Sequence, residues 1–238
     1  MRSAGRVVCL LLVSAVCAEA QPDVGGILKK VSELYKGAAQ YQIVAETVGH
    51  KSEPQTADNS GRALFAFKPP NRYRMEGAIP GADRDAPELS GGVVIVDDAS
   101  SVWFYMPKAN QYGSFPASAL TADAPGDLGD LRPAAVDHFI MYRYRTADLN
   151  EETKYLRDET IDYAGAKVDC YVVSVSQRKG GFTYTWWVDK KSFLILREDD
   201  ADSSVVFTSI KLNESLPDEL FKFVPPAGAQ EIKIPPPQ

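Results

Sequence analysis

Hydrophobic residues recur at helical spacing near the start of the chain and at strand spacing for most of its remaining length. Ile27, Val31 and Leu34 fall on one face of a helix that opens at Pro22-Asp23 and ends near Gly37. After it, short apolar runs bounded by polar, glycine or proline residues predict a series of strands. These strands cover residues 41–48, 62–67, 73–77, 93–97, 101–105, 153–163, 168–176, 182–189, 193–199 and 203–212.

The connections between the later strands are short. Ala164-Gly165-Ala166-Lys167, Lys179-Gly180-Gly181 and Asp189-Lys190-Lys191-Ser192 are typical of hairpin turns. Sequential strands joined by hairpins predict an antiparallel meander that is closed or nearly closed into a barrel. The proline-rich C-terminal tail cannot pair as a central strand, so we expect it to be extended and to lie at an edge.

One long insertion interrupts the strands. Within residues 118–148, Pro133 suits the first turn of a helix that covers residues 134–144. Val136, Phe139 and Ile140 fall on one face of this helix, which must pack on another part of the molecule. We expect it to lie across the mouth of the sheet.

Several strands are apolar at consecutive positions, as in Val93-Val94-Ile95-Val96 and Val102-Trp103-Phe104-Tyr105. A sheet with solvent on one side alternates apolar and polar residues, so both faces of these strands must be covered. Together with the segment KPPNRYRM (residues 68–75), they suggest the wall of an apolar, aromatic-lined cavity. The alternative is that these aromatic residues fill an ordinary core.

The first twenty residues have the pattern of a secretory signal. Arg2 and Arg6 precede an apolar stretch of about ten residues, about half the length of a membrane span, and Ala18-Glu19-Ala20 suits cleavage. We therefore expect a signal peptide over residues 1–20, a single domain over residues 21–238 and a periplasmic location. A lipid anchor through Cys17 is the alternative, although Val16 stands where a lipoprotein signal needs a small residue.

Cleavage would leave Cys170 as the sole cysteine, and its apolar neighbours predict a buried thiol rather than a reactive one.

The net charge of −6, without a basic stripe, argues against a nucleic-acid partner. The two histidines, His50 and His138, are interpreted as surface residues, and no motif for a metal, a phosphate or a catalytic nucleophile is present. We expect no enzyme, no cofactor and no metal. Asp97-Asp98 is interpreted as a turn, and the acidic cluster that begins at Glu198 as a solvated one.

The order of these segments resembles the LolA/LolB-like periplasmic lipoprotein carriers and outer-membrane lipoprotein-sorting proteins. The resemblance rests on the N-terminal amphipathic helix, KPPNRYRM, VIVDD, WFYMPKANQY, the helical insertion, and LPDELFKFVPPAGAQEI at residues 216–232. It implies a mainly β (α+β) fold: an incomplete antiparallel β-barrel whose helices cover an apolar cavity. It also implies a monomeric carrier that takes up the acyl chains of lipoproteins or other lipids, and a membrane-bound donor or acceptor protein.

The resemblance assigns residues to three parts of such a carrier. The predicted cavity and its mouth comprise Tyr73, Met75, Val94, Val96, Trp103, Tyr105 and Trp186. The predicted lid is formed by Val136, Phe139 and Ile140. Carriers of this family commonly have an arginine before a proline that latches the lid. Here that position holds Pro69, and Lys68, Arg72 and Arg74 are the candidate latch. The alternative function is an envelope sensor or regulatory domain of the same fold that acts through a protein partner.

Overall fold

A computed structural model describes residues 22–50, 61–77, 91–119, 152–176, 183–201 and 203–233 of this chain. Its α-helix, α1 (Val24–Lys36), ends at Gly37, whose N–H donates to the Glu33 carbonyl over 2.9 Å. The buried side chains of α1 recur every four residues and so form one apolar face: Ile27, Val31 and Tyr35. The predicted N-terminal helix is confirmed.

The strands form one twelve-stranded sheet, and each predicted strand corresponds to one of them. The strands are β1 (Tyr41–Gly49), β2 (Gly61–Lys68), β3 (Arg72–Gly77), β4 (Val93–Asp97), β5 (Ser101–Met106), β6 (Gln111–Pro116), β7 (Glu152–Tyr163), β8 (Ala166–Ser176), β9 (Thr183–Asp189), β10 (Ile195–Asp199), β11 (Ser203–Leu212) and β12 (Gln230–Glu231).

The order of strands across the sheet is β12-β6-β5-β4-β3-β2-β1-β11-β10-β9-β8-β7. Strands β1 to β6 form one antiparallel meander and β7 to β11 form a second. The two are joined where β1 pairs with β11, from Tyr41 opposite Leu212 to Gly49 opposite Ser203. Among the described strands no pairing joins β7 to β12, so the sheet is open. The predicted fold, an incomplete antiparallel barrel with a helix against it, is confirmed.

The main hydrophobic core lies between α1 and one face of the sheet, which we call the inner face. Side chains of both meanders contribute to it because alternate residues of a strand point to the same side. They include Tyr41, Ile43, Phe65, Tyr73, Met75, Ile95, Phe104, Val173, Trp186, Ile195 and Phe207. Smaller clusters around Phe221 and around Trp187 cover parts of the opposite face, which we call the outer face.

Three details differ from the sequence prediction. Strand β6 is an additional strand, and β12 pairs with it in parallel at the edge of the sheet. The strand predicted from residue 193 begins at Ile195, because Phe193 has a φ of 60° and cannot continue a strand. The hairpin between β7 and β8 turns on Ala164 and Gly165 alone, both with positive φ, as tight two-residue turns require.

Some sequence-based predictions lie outside the described residues. These are the signal peptide over residues 1–20 with Cys17, the turn at residues 179–181, and the inserted helix with Val136, His138, Phe139 and Ile140.

Candidate functional site: the inner face of the sheet

The helix α1 covers the inner face and is fixed to it by one polar contact as well as by packing. The Tyr35 hydroxyl accepts a hydrogen bond from the backbone N–H of Ile195 over 3.3 Å. Burial raises the pKa of Tyr35 well above its usual value, so this hydroxyl keeps its proton. The Lys30 ammonium lies 4.5 Å from the centre of the Phe193 ring, a second contact with the start of β10.

Three predicted cavity residues meet on the inner face. Tyr73 and Met75 of β3 are buried there together with Trp186 of β9. Met75 lies between Phe65 and Ile95 on the neighbouring strands, which places it near the middle of the first meander. These three side chains line the surface that α1 covers. That they contact a lipid remains a prediction.

Four other predicted cavity residues lie on the outer face, and their placement is corrected. Val94, Val96, Trp103 and Tyr105 occupy the alternate positions of β4 and β5. Their neighbours Ile95 and Phe104 point into the core with α1, so strand geometry directs these four to the other side. On this face the Phe223 ring of the C-terminal part of the chain packs over Trp103 and Tyr105.

Residues 216–232, which we call the C-terminal segment, cross the outer face from β2 to β6. Leu216 and Phe221 pack on Ala66 of β2. The Phe223 ring then stacks on Trp103, with 5.4 Å between ring centres, and also contacts Tyr105 and Tyr112. Finally, the Gln230 N–H donates to the Asn110 carbonyl and the Ile232 N–H donates to the Tyr112 carbonyl, so the segment ends as β12.

The three candidate latch residues bind this segment. The Lys68 ammonium donates to the Leu216 carbonyl over 2.7 Å and to the Asp218 carboxylate over 2.6 Å. Arg72 donates to the same carboxylate over 3.0 Å, and Arg74 donates to the Leu220 carbonyl over 3.3 Å. Lys68, Arg72 and Arg74 therefore hold the C-terminal segment on the outer face, and the lid that they were predicted to latch lies outside the described residues.

The inner face also carries the buried carboxyl groups of Asp97 and Glu198, whose burial the sequence did not predict. Asp97 is 4% exposed and lies directly opposite Tyr73 on the neighbouring strand. Glu198 is buried opposite Trp186 and accepts a hydrogen bond from its indole N–H over 2.5 Å. The interpretation of Glu198 as a solvated turn residue was wrong, because the strand β10 extends through it and directs its side chain inward.

The β4–β5 turn has the role predicted for Asp97-Asp98. An Asp97 carboxylate oxygen accepts from the Ala99 N–H over 2.7 Å. Asp98 accepts from the backbone N–H groups of Ser100 and Ser101 and, through its other oxygen, from the Trp103 indole over 3.1 Å. These bonds satisfy the polar groups of a tight turn. The signal for a buried Asp97 is its position two residues after Ile95 in the same strand.

The described residues give little support for other kinds of site, namely a membrane span, a metal site or a reactive thiol or histidine. No helix there is both long and apolar enough to cross a membrane. Nor do three or more His, Cys, Asp or Glu side chains come together in those ranges as metal ligands. Cys170 is buried as predicted, and burial raises the pKa of its thiol to about 12, so the reactive thiolate is disfavoured. His50 is exposed and lies 2.9 Å from the Ser204 hydroxyl.

Comparisons with known proteins connect the chain to few sequences. No protein-family model matches it. An uncharacterized protein of Methanocaldococcus jannaschii is 25% identical over 212 residues, which is 88% of this chain and 54% of that protein. The chain thus spans about half the length of this curated relative.

Solved structures match the chain at low sequence identity and with TM-scores below 0.5. LprF of Mycobacterium bovis is 15% identical with a TM-score of 0.46, over 81% of this chain and 94% of LprF. A LolA superfamily protein of Nitrosomonas europaea is 19% identical with a TM-score of 0.31, over 84% and 97% of the two chains. The MucA/MucB complex of Pseudomonas aeruginosa matches at 11% identity with a TM-score of 0.41, over 84% and 60%. The solved structures that this chain is similar to thus include a LolA superfamily protein, at a TM-score below 0.5.

Proposed function

We propose that this protein is an exported, non-enzymatic carrier that binds acyl chains of lipoproteins or other lipids between α1 and the inner face of the sheet. The observation that carries the proposal is the continuity of this apolar face. It runs through both meanders, from Phe104 past Met75 and Ile43 to Trp186, and the amphipathic helix α1 covers it. A β-sheet protein needs such a face for its core, but an open sheet under one helix can also admit a chain between them.

The physical basis of acyl binding is the burial of methylene groups. Each CH₂ that is removed from water contributes about 0.8 kcal/mol, so an apolar wall can replace the stabilisation that an acyl chain has in a membrane without any specific polar contact. Met75 suits such a wall because its unbranched thioether adopts many shapes. Release then requires a competing apolar surface or a movement of α1.

The wider role follows from the predicted signal peptide. An exported carrier in the periplasm would take its cargo from one membrane-bound protein and deliver it to another, as outer-membrane lipoprotein sorting requires. We propose that the mature chain acts as a single-domain monomer in this exchange.

The direct test is native mass spectrometry of the protein purified from the cell envelope, followed by titration with a fluorescent fatty-acid probe. We expect the purified protein to carry acyl-containing species and to bind the probe with a Kd in the micromolar range or below. A protein that is lipid-free and does not bind the probe would contradict the proposal.

Two fully buried residues of neighbouring strands provide a matched pair of variants. Met75 and Val96 are both 0% exposed, but Met75 is on the inner face and Val96 on the outer face. Met75→Ala and Val96→Ala should each lower the free energy of unfolding. Only Met75→Ala should change probe affinity, about threefold to tenfold, because only it alters the wall. Equal effects of the two variants on affinity would exclude the inner face as the site.

A regulatory domain is the second candidate, and the aromatic cluster on the outer face favours it. Trp103, Tyr105, Tyr112 and Phe223 are partly exposed, and aromatic residues of this kind are enriched in protein interfaces. Val224 is 78% exposed beside them. A photo-crosslinking residue at position 224 should capture a membrane-bound regulator if this candidate is correct, and lipid sorting should then be unchanged when the protein is deleted.

A further inference from the structure

Two buried polar groups lie side by side in the apolar inner face, at the end of the sheet where β1 begins. Tyr73 is 3% exposed and Asp97 is 4% exposed, and they are directly opposite each other on β3 and β4. Side chains in this relation have Cβ atoms about 5 Å apart. Asp97 is also close enough for its charge to act on the Tyr73 hydroxyl, so the two groups form one polar spot in a largely apolar surface.

The Tyr73 hydroxyl is the unexplained member of this spot. It is buried, and among the described residues no group accepts or donates a hydrogen bond to it. A buried hydroxyl without a partner loses the hydrogen bonds that it makes to water in the unfolded chain. Burial, with the nearby Asp97 charge, raises its pKa, so the hydroxyl keeps its proton and remains a hydrogen-bond donor.

Asp97 supplies an acceptor beside that donor. One of its oxygens accepts from the Ala99 N–H in the β4–β5 turn. Burial raises the pKa of Asp97 to about 6, against the opposing effect of the Ala99 bond, so the group is mainly ionised at neutral pH. A buried carboxylate attracts a hydrogen-bond donor and repels a second carboxylate.

We propose that Tyr73 and Asp97 bind the polar end of the lipid, and that this end is a hydroxyl or an amide rather than a free carboxylate. A hydroxyl or an amide can donate to the Asp97 carboxylate and accept from the Tyr73 hydroxyl, whereas an ionised fatty acid can only accept. The acyl chain then extends along the inner face past Met75. This inference rests on the proposed function and specifies the class of lipid that it takes.

The test is competition against the bound fluorescent probe at about pH 8, using three ligands of equal chain length: hexadecanol, hexadecanamide and hexadecanoate. We expect the alcohol and the amide to displace the probe at concentrations at least about tenfold lower than the acid. The ionised acid is the best hydrated of the three ligands, and this alone weakens its binding to any apolar site. The ratio of the alcohol affinity to the acid affinity is therefore compared between wild type and variants.

Two isosteric variants separate the roles of the groups. Asp97→Asn keeps the size of the side chain and an acceptor for Ala99, and should improve hexadecanoate binding so that the preference for the alcohol falls about tenfold. Tyr73→Phe should weaken hexadecanol and hexadecanamide about threefold to tenfold and weaken hexadecanoate less, because the Asp97 charge keeps the carboxylate of the acid away from the Tyr73 hydroxyl. The matched controls are Asp98→Asn and Tyr105→Phe, which change the same groups on the outer side and should leave all three affinities unaltered.

The outcomes distinguish this inference from the proposed function. If none of the three ligands displaces the probe and the probe itself does not bind, both are wrong. If all three bind and the ratios are the same in wild type, Asp97→Asn and Tyr73→Phe, the acyl-binding function stands and this inference is wrong. The same conclusion follows if Tyr73→Phe raises stability and leaves all three affinities unchanged, since the hydroxyl would then be an unsatisfied buried group that binds no ligand.

Discussion

Neighbouring residues along β4 belong to different parts of the molecule. Ile95 packs in the main core on the inner face, whereas Val96 is buried on the outer face. Asp97 returns to the inner face and brings a charge into it. The surroundings of each side chain depend on which face of the sheet it occupies, and a register shift of one residue would move every side chain of the strand to the opposite face.

Asp97 should make the stability of the protein depend on pH. Its pKa is about 6 in the folded protein and 3.8 in the unfolded chain, so the folded state binds the proton more tightly. Its contribution to stability therefore falls as the pH rises from about 4 to above 6. Relative to wild type, Asp97→Asn should be more stable at about pH 7.5 than at about pH 4.5 by roughly 1–3 kcal/mol, measured by urea unfolding.

The neighbouring Asp98 provides a control, because its contribution to stability should change with pH in the opposite direction. Burial would raise its pKa, but the hydrogen bonds from Ser100, Ser101 and Trp103 outweigh this and lower it. Its contribution to stability is therefore present at neutral pH and lost as the pH falls. Asp98→Asn should lose stability relative to wild type as the pH rises. Parallel pH profiles for the two variants would contradict the assignment of Asp97 to a buried, apolar site.

The sequence could identify the strands but only some of the residues whose side chains lie on the inner face. Tyr73 and Met75 alternate with Arg74, so their side of β3 is evident from the pattern. In Val93-Val94-Ile95-Val96 and Val102-Trp103-Phe104-Tyr105 there is no alternation to read. The side is decided there by pairing with β3 and by the C-terminal segment, which is more than a hundred residues away in the chain.

At the scale of elements, the C-terminal segment acts as a cover for the outer face. Phe221, at the end of a short 3-10 helix (Asp218–Phe221), is 1% exposed, and its ring packs with Leu216 and Ala66. Arg72 lies over this ring, 5.8 Å from its centre. The segment thus seals the side of β2 to β6 that α1 does not cover.

Phe221→Ala should destabilise the protein by about 3–5 kcal/mol, because it removes a buried aromatic side chain and leaves a cavity. Limited proteolysis should then cut after the end of β11. Val224→Ala, three residues later at an exposed position, should change the free energy of unfolding by less than about 0.5 kcal/mol. If both variants are equally mild, the segment does not contribute to the core.

The elements that the sequence did not predict are those without a hydrophobic pattern of their own. Strand β6, Gln-Tyr-Gly-Ser-Phe-Pro, contains a glycine and a proline and has only Phe115 and Gly113 buried. Strand β12 consists of two exposed residues. Strand β6 forms because its backbone pairs with the free edge of β5, and β12 forms because the extended tail pairs with the free edge of β6.

At the scale of the whole molecule, the open sheet must protect its ends. An unpaired edge strand is a template for association with another chain. At one end, β12 partly covers β6 through the hydrogen bond from the Ile232 N–H to the Tyr112 carbonyl, 2.7 Å long, and the one from Gln230. At the other end, β7 carries charged side chains, including Arg157, Asp158 and Glu159.

Ile232→Pro should promote self-association. Proline has no N–H, so the bond to Tyr112 is lost and β12 detaches from β6. Sedimentation velocity at increasing protein concentration should show dimers or larger species that wild type lacks. Ile232→Ala keeps the N–H and is the control. If both variants associate to the same extent, the Ile232 side chain, and not the paired edge of the sheet, prevents self-association.

The two antiparallel meanders could be predicted from the sequence, but the pairing that joins them into one sheet could not. Hairpin connections such as Ala164-Gly165 indicate which consecutive strands are neighbours, and this is local information. The pairing of β1 with β11 joins Tyr41 to Leu212 and has no local signal. It follows only when both meanders are present and each needs a partner for its free edge.

This pairing has a consequence for how the chain folds. Within each meander, contacts form between segments that follow one another, so their closure entropy is small. The seam between β1 and β11 brings together residues from opposite ends of the chain and is expected to form last, which makes folding slow. A polypeptide that emerges from a membrane with its N-terminus first would thus expose β1 without its partner until β11 has followed. During that interval its apolar side is open to chaperones or to the lipid surface that it leaves.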